Sequence, residues 1–246
     1  MTSPRPVRED LALVYPGDYR PHRPGAPAAP RAPARPSRGS LLDVGCGNGK
    51  YLEYARTRGW DGVGIELSAL AAEAARAREF EVIVGDALEV AWPATRFDRV
   101  RCAHTLEHVH DPEALLRRLR EAVRATGRVE VLIPNRRSAP AHLFGRYWQG
   151  LELPRHLFHF RISDVRHPAA RAGLRLTRIH HEASPSSLLE SADRMLAERR
   201  RRAPEPLLRD RRGWRRAVRP ATLAFAALRM GAVVELELRP LEAETG

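Results

Sequence analysis

The chain has 246 residues, with 42 basic and 30 acidic side chains, a formal net charge of +12, and 43% hydrophobic residues. No run reaches the ~18 to 20 apolar residues of a membrane span, which excludes a bundle of spanning helices; the most apolar late stretch, 221–234, is interrupted by Arg229. Two cysteines exclude a disulfide scaffold and most structural zinc sites, and with no apolar segment in MTSPRPVRED they point to a cytoplasmic protein.

Lys50 is the single lysine among the 42 basic residues. Replacement this complete, beside abundant alanine and proline, reads as a GC-rich coding bias. It weakens the nucleic-acid reading that a charge of this size invites.

In residues 1–39 prolines fall at 21, 24, 27, 30, 33 and 36. Polyproline II has about three residues per turn, so these rings line one edge of an extended, stiff segment. It reads as a linker, with a partner-docking motif as the alternative. From residue 40 short apolar runs alternate with helical patterns. SLLDV (40–44), DGVGI (61–65), FEVIV (80–84), FDRVRC (97–102), RVEVLI (128–133), LRLTRI (174–179) and VVELELR (233–239) are the predicted strands.

The intervening helices run from the glycine loop through Arg58, from an N-cap at Ser68 through Arg78, and from Asp111-Pro112 to near Gly127. Residues 136–161 read as an aromatic loop. A helix is expected over 163–172, where Pro168 should kink or delay it, another over 187–202, and a last one from about 220. The divisions are a Pro/Arg-rich segment 1–39, a core 40–183, an Arg-rich helical insertion 184–232, and a closing strand with tail 233–246. The implied fold is α/β: a doubly wound seven-stranded sheet, six strands parallel and a late antiparallel strand at the edge, helices on both faces.

The loop after the first strand reads D-V-G-C-G-N-G, with Asp43, Gly45, Gly47 and Gly49. Glycines at a strand-to-helix turn let backbone N–H groups approach a ligand. The dinucleotide pattern G-x-G-x-x-G is absent, since the third glycine comes one place early, and so is the phosphate loop G-x-x-x-x-G-K-[ST]. An acidic residue at the strand's end suits a ligand with a cationic amine. Glu66 ends the second strand, where a carboxylate can accept both ribose hydroxyls. Asp86 follows the third, where it can take an exocyclic amine of adenine.

LLDVGCGNGKYL (41–52), VGIELS (63–68), VIVGDALE (82–89) and FDRVRCAHTLEHVHDPEALLRRLREAV (97–123) resemble the motifs of class I S-adenosylmethionine-dependent methyltransferases, whose sheet is Rossmann-like. The similarity covers roughly 41–179. LEHVHDP and PNRRS…GRYWQGLELPRHLFHF (134–160), with YPGDY (15–19), resemble the small-molecule branch, ubiquinone-type O-methyltransferases among them. The resemblance implies S-adenosylmethionine as cofactor. It puts the methionine end at Asp43, Gly45 and Gly47, with Cys46, Asn48 and Gly49 of the same loop beside it. The ribose falls on Glu66, the adenine beside Leu67 with its amine at Asp86 and Ala87, and the transferred methyl near Ala103 and His104.

Methyl transfer needs alignment of nucleophile, carbon and sulfur and, for a hydroxyl, removal of a proton. His104, Glu107 and His108 are spaced to share one face of a helical turn, and His156 is a second base candidate. Ubiquinone-type enzymes carry a similar turn with Glu, Glu and His on a divalent metal. His104 replaces the first of these here, so no metal ligands are assigned; a transition metal on these three is the alternative. In the aromatic segment Trp148 and Arg155 are the substrate contacts, Arg155 for an anionic acceptor group. The expected reaction is methyl transfer to a small-molecule hydroxyl. AHTLE stands where amino-directed nucleic-acid enzymes carry an Asn/Asp-Pro-Pro-aromatic motif, which argues against nucleic acid as partner. An RNA methyltransferase or a cofactor-binding protein without catalysis are the alternatives. Residues 209–234, Arg-rich and then apolar, are a candidate for peripheral membrane contact.

Overall fold

The computed structural model describes residues 37–200, 208 and 212–241. The proline series, YPGDY, part of the basic stretch and the tail from 242 lie outside the described residues. The strands are β1 (Gly39–Val44), β2 (Trp60–Glu66), β3 (Glu81–Val84), β4 (Phe97–Ala103), β5 (Val123–Pro134), β6 (Leu174–Glu182) and β7 (Val233–Pro240). They form one sheet in the order β3-β2-β1-β4-β5-β7-β6. β1 to β5 pair in parallel, and β7 is antiparallel to both β5 and β6.

Six strands thus share one direction and one opposes them, as expected. The opposing strand is not the edge, however: β7 fills the slot between β5 and β6, and β6 is outermost. The burial explains the order. Val234, Leu236 and Leu238 of β7 are fully buried, whereas Thr177, Arg178, Ile179 and His180 of β6 are exposed, and the more apolar strand takes the interior place.

Helices cover both faces. α1 (Lys50–Arg56) and α2 (Ala69–Arg76) bury Leu52, Ala55, Ala72 and Ala75 against Leu41, Phe80 and Val82. On the other face α3 (Pro112–Ala122) buries Leu115, Leu116 and Leu119 against Val100, Cys102, Val129 and Val131. Each such leucine contributes about 1.5 to 3 kcal/mol. Asp111 caps α3, its carboxylate accepting from Ala114 N at 2.8 Å, with Pro112 next.

The helix ends at Ala122, five residues before the expected glycine, because Val123 turns extended and pairs with Phe97. The 136–161 segment is less loop-like than expected: it holds α4 (Ala139–Phe144), capped by Ser138, and two 3₁₀ turns. α5 (Ile162–Arg171) runs continuously through Pro168, packs on α3, and ends before Gly173. The proline forfeits one hydrogen bond of a helix whose Val165 and Ala169 are held in the core.

α6 (Pro185–Arg199) packs on α4. α7 (Arg212–Ala217) and α8 (Arg219–Ala227) follow. α8 touches β6 but buries only Thr222. Among the described residues no helix is long and apolar enough to cross a membrane.

Candidate active site

The C-terminal ends of the parallel strands surround a cavity of about 610 Å³, the place where open α/β sheets bind ligands. Gly45, Cys46, Gly47 and Asn48 line it from the first loop, Glu66 and Leu67 from β2, Asp86 and Ala87 after β3, and Ala103 and His104 after β4. Gly45 has φ +75° and Gly47 φ +55°. A Cβ on Gly45 would collide with the Thr105 hydroxyl, which donates to Val44 O at 3.1 Å.

Glu66 is nearly buried, and burial, the largest influence, raises its carboxyl above the usual range. Its Oε2 accepts from Gly47 N and its Oε1 from Ser68 N, both at 2.8 Å. Backbone hydrogen bonds from Ser68, Gly47 and Leu67 oppose that rise and favour the ionised form. Asp86 Oδ1 accepts from Leu88 N at 2.8 Å, which fixes the turn.

Asp43 does not line the cavity. It lies buried behind the loop, where Oδ1 takes Arg101 Nη1 at 3.1 Å and Oδ2 has no hydrogen-bond partner. Glu66 and Asp86 on the wall present acceptors that fit the ribose and adenine donors of S-adenosylmethionine, while the orphaned Asp43 oxygen is shut behind the loop. Gly49 opens α1 with φ +77° and is also off the wall. Arg101 and Tyr51, which line the cavity, escaped the sequence reading; Arg101 lies over the Tyr51 ring at 3.6 Å. An arginine in a strand carries no signal of which carboxylate it will meet.

The His104–Glu107–His108 segment is a tight turn, not a helix. His104 has φ +52° and its side chain is 49% exposed. Glu107 is fully buried. His104 Nδ1 lies 3.3 Å from Glu107 Oε1, while Glu107 Oε2 is buried with no hydrogen-bond partner. Desolvation works against a charge on His104, but the Glu107 hydrogen bond and charge outweigh it and raise its pKa. Desolvation likewise favours a protonated Glu107, and the hydrogen bond and charge of His104, with the nearby imidazoles, outweigh it and hold the carboxyl below its ordinary range. Burial pushes His108 down to about 4.

His108 and His156 line the cavity with rings edge-to-face at 4.6 Å. His108 Nδ1 lies 3.2 Å from Arg155 O, and His156 Nδ1 lies 2.8 Å from Gly150 O. Ligand atoms of Glu107, His108 and His156 all lie within 4.8 Å of one another, although no metal was assigned from sequence. The orphaned Glu107 Oε2 and two imidazoles fit a divalent cation.

Trp148 and Arg155 were expected on the acceptor. Neither lines this cavity: Trp148 is buried against Gly150, and Arg155 Nε donates to Glu152 at 3.0 Å. The wall is completed instead by Gln149 and Glu152, and by Ser184, Ser186, Ser187 and Glu190 at the start of α6. The expected helix over 187–202 starts earlier, at Pro185 with Ser184 as its cap, which brings these serines to the cavity. Cys46 and Cys102 are buried free thiols, pushed upward in pKa chiefly by burial, and so are poor nucleophiles.

A doubly wound sheet with Glu66 and Asp86 at successive strand ends around this cavity, and Asp43 buried behind its glycine loop, defines a class I S-adenosylmethionine-dependent methyltransferase domain. Residues 18–179 match the family model described as a methyltransferase domain, and the chain belongs to that family. It is 33% identical over 97 residues to the ubiquinone biosynthesis O-methyltransferase of Idiomarina loihiensis, covering 36% of this chain and 40% of that protein. It is 31% identical over 159 residues to that of Acinetobacter baylyi, covering 57% and 66%. The chain thus spans less than half the length of the first relative. Among solved structures, the Haloferax volcanii putative methyltransferase, crystallised with its Trm112 activator, aligns with a TM-score of 0.59, 16% identity and 86% of each chain. At that identity the likeness shows the fold alone.

Proposed function

We propose that this protein transfers the methyl group of S-adenosylmethionine to a hydroxyl oxygen of a small-molecule acceptor. The observation that carries the reading is His104 on the wall of the cavity that Glu66 and Asp86 line further along, backed by the buried Glu107. The volume of about 610 Å³ suits a cofactor together with a small acceptor. The similarity to ubiquinone biosynthesis O-methyltransferases supports an oxygen acceptor.

In this mechanism the acceptor oxygen attacks the methyl carbon in line with the carbon–sulfur bond. The bonding pair leaves with sulfur as a neutral thioether, giving S-adenosylhomocysteine. His104 Nδ1–H donates to Glu107, which leaves the lone pair of His104 on Nε2 to take the hydroxyl proton. The buried Glu107 carboxylate holds that tautomer and stabilises the imidazolium that forms. A cation bound at Glu107, His108 and His156 would act as a Lewis acid toward an acceptor oxygen.

Calorimetric titration with S-adenosylmethionine and S-adenosylhomocysteine tests the cofactor half, with Glu66→Ala and Asp86→Ala as controls. Micromolar binding, about −8 kcal/mol, weakened by both substitutions is expected. Methyl transfer from labelled cofactor to a panel of hydroxylated small molecules, with RNA as a separate arm, tests the acceptor half. Labelled RNA with no labelled small molecule would overturn it.

A further inference from the structure

We propose that Glu107, His108 and His156 form a transition-metal site of the two-histidine, one-carboxylate type, with His156 rather than His104 as the third ligand. Three observations carry it. The candidate ligand atoms of these residues lie within 4.8 Å of one another, although His156 is 48 positions further along the chain. Glu107 Oε2 is buried and makes no hydrogen bond, a desolvation penalty that a cation would remove. Each histidine is turned by a backbone carbonyl at Nδ1, Arg155 O for His108 and Gly150 O for His156. Donation from Nδ1 to those carbonyls would leave a lone pair on Nε2, and such outer hydrogen bonds are how proteins orient imidazole ligands; His156 Nε2 also lies 3.4 Å from Glu152 Oε2, so a second carboxylate stands beside the cluster.

His104 is placed differently. Its Nδ1 is engaged by Glu107 Oε1, the oxygen opposite the orphaned one. The carboxylate therefore has one oxygen for His104 and one for a cation. Two imidazoles and one carboxylate suit Zn²⁺, Fe²⁺, Co²⁺ or Ni²⁺, whereas Mg²⁺ takes an all-oxygen set. A metal about 2.0 to 2.2 Å from each ligand fits among atoms that all lie within 4.8 Å of one another. His108 and His156 both face the cavity, and remaining coordination positions would open toward it.

The site shares its cavity with the proposed methyl transfer, but metal binding does not depend on that reading. The test is titration of the full-length, chelator-stripped protein with Co²⁺, read by its visible ligand-field absorption, with stoichiometry from equilibrium dialysis. One Co²⁺ per chain is expected, displaced by Zn²⁺ and not by excess Mg²⁺. His156→Gln and, independently, His108→Gln should weaken binding at least ~100-fold, and His104→Ala should retain it. Calorimetry with S-adenosylhomocysteine checks that each variant is folded. Absence of a stoichiometric Co²⁺ signal in the parent protein overturns the proposal, as does binding lost in His104→Ala and kept in folded His156→Gln. A protein that binds Co²⁺ but no S-adenosylhomocysteine would sink the methyl-transfer reading and leave the metal site standing.

Discussion

Glu107 Oε1 lies 3.3 Å from His104 Nδ1 in a turn where the histidine is half-exposed and the glutamate fully buried. The arrangement resembles a carboxylate-oriented base, in which the buried acid fixes the imidazole tautomer. His104→Ala is expected to lower kcat about 10²- to 10³-fold. Glu107→Gln should lower it comparably, because an amide N–H facing Nδ1 moves the ring proton to Nε2. Both should bind S-adenosylhomocysteine with far smaller loss. Single-turnover methyl transfer beside calorimetry checks this; full turnover in His104→Ala would remove it as the base.

Glu66 gives a pH dependence of cofactor binding. Burial raises its carboxyl above the ordinary range, so protonation begins nearer neutrality than for an exposed glutamate. The folded protein then holds the proton more tightly than the unfolded chain, and protonation of Glu66 favours folding. Its stabilising effect is present at low pH and declines as pH rises through the raised pKa. Cofactor binding follows the opposite course, since ribose hydroxyls need the ionised acceptor. Affinity should weaken about tenfold as pH is lowered from neutrality toward 5, as a charge-assisted bond becomes a neutral one. Calorimetry across this range should show a flatter profile for Glu66→Gln.

Gly45 is constrained twice: its φ is +75°, and a Cβ would strike the Thr105 hydroxyl. Gly45→Ala should destabilise the fold by about 1 to 3 kcal/mol and weaken cofactor binding at least tenfold. Adding Thr105→Ala should restore part of the loss, because the collision goes and the strained φ stays. Thermal unfolding and cofactor titration of the double-mutant cycle measure both parts; purely additive losses would argue against the collision.

The last helix, α8, meets β6 but buries only Thr222. Trp214, Leu223 and Leu228 are 47%, 50% and 69% exposed, among Arg215, Arg216, Arg219 and Arg229. Such a surface suits an anionic interface. The protein should co-sediment with anionic vesicles, less so at high salt, and Trp214→Ser with Leu223→Ser should reduce binding several-fold. Equal recovery in the supernatant with and without anionic lipid would count against it.

Local signals made much of this protein legible. The caps at Ser68 and Asp111 stand where expected, since a side-chain oxygen accepting from a backbone N–H two or three residues on is decided within one turn. Gly45, Glu66 and Asp86 reach one region because each sits at the end of a parallel strand, and parallel strands end on the same side. The end of α3 was misjudged because Val123 answers to a partner 26 positions away rather than to helix propensity.

The alternation of apolar runs and helical stripes, with the glycine loop and its carboxylates, is thus a property of the sequence by itself. It is written in short-range periodicity, which needs no knowledge of neighbours. The tertiary structure alone decided the slot of β7, the retreat of Trp148 and Arg155 from the cavity, and the meeting of His156 with Glu107 and His108. Each depends on which distant surface offers burial or a hydrogen-bond partner. Trp148 went to packing and Arg155 to Glu152, while the Gly150 carbonyl turned His156 toward His108. Contacts between segments so far apart in the chain leave no spacing to read.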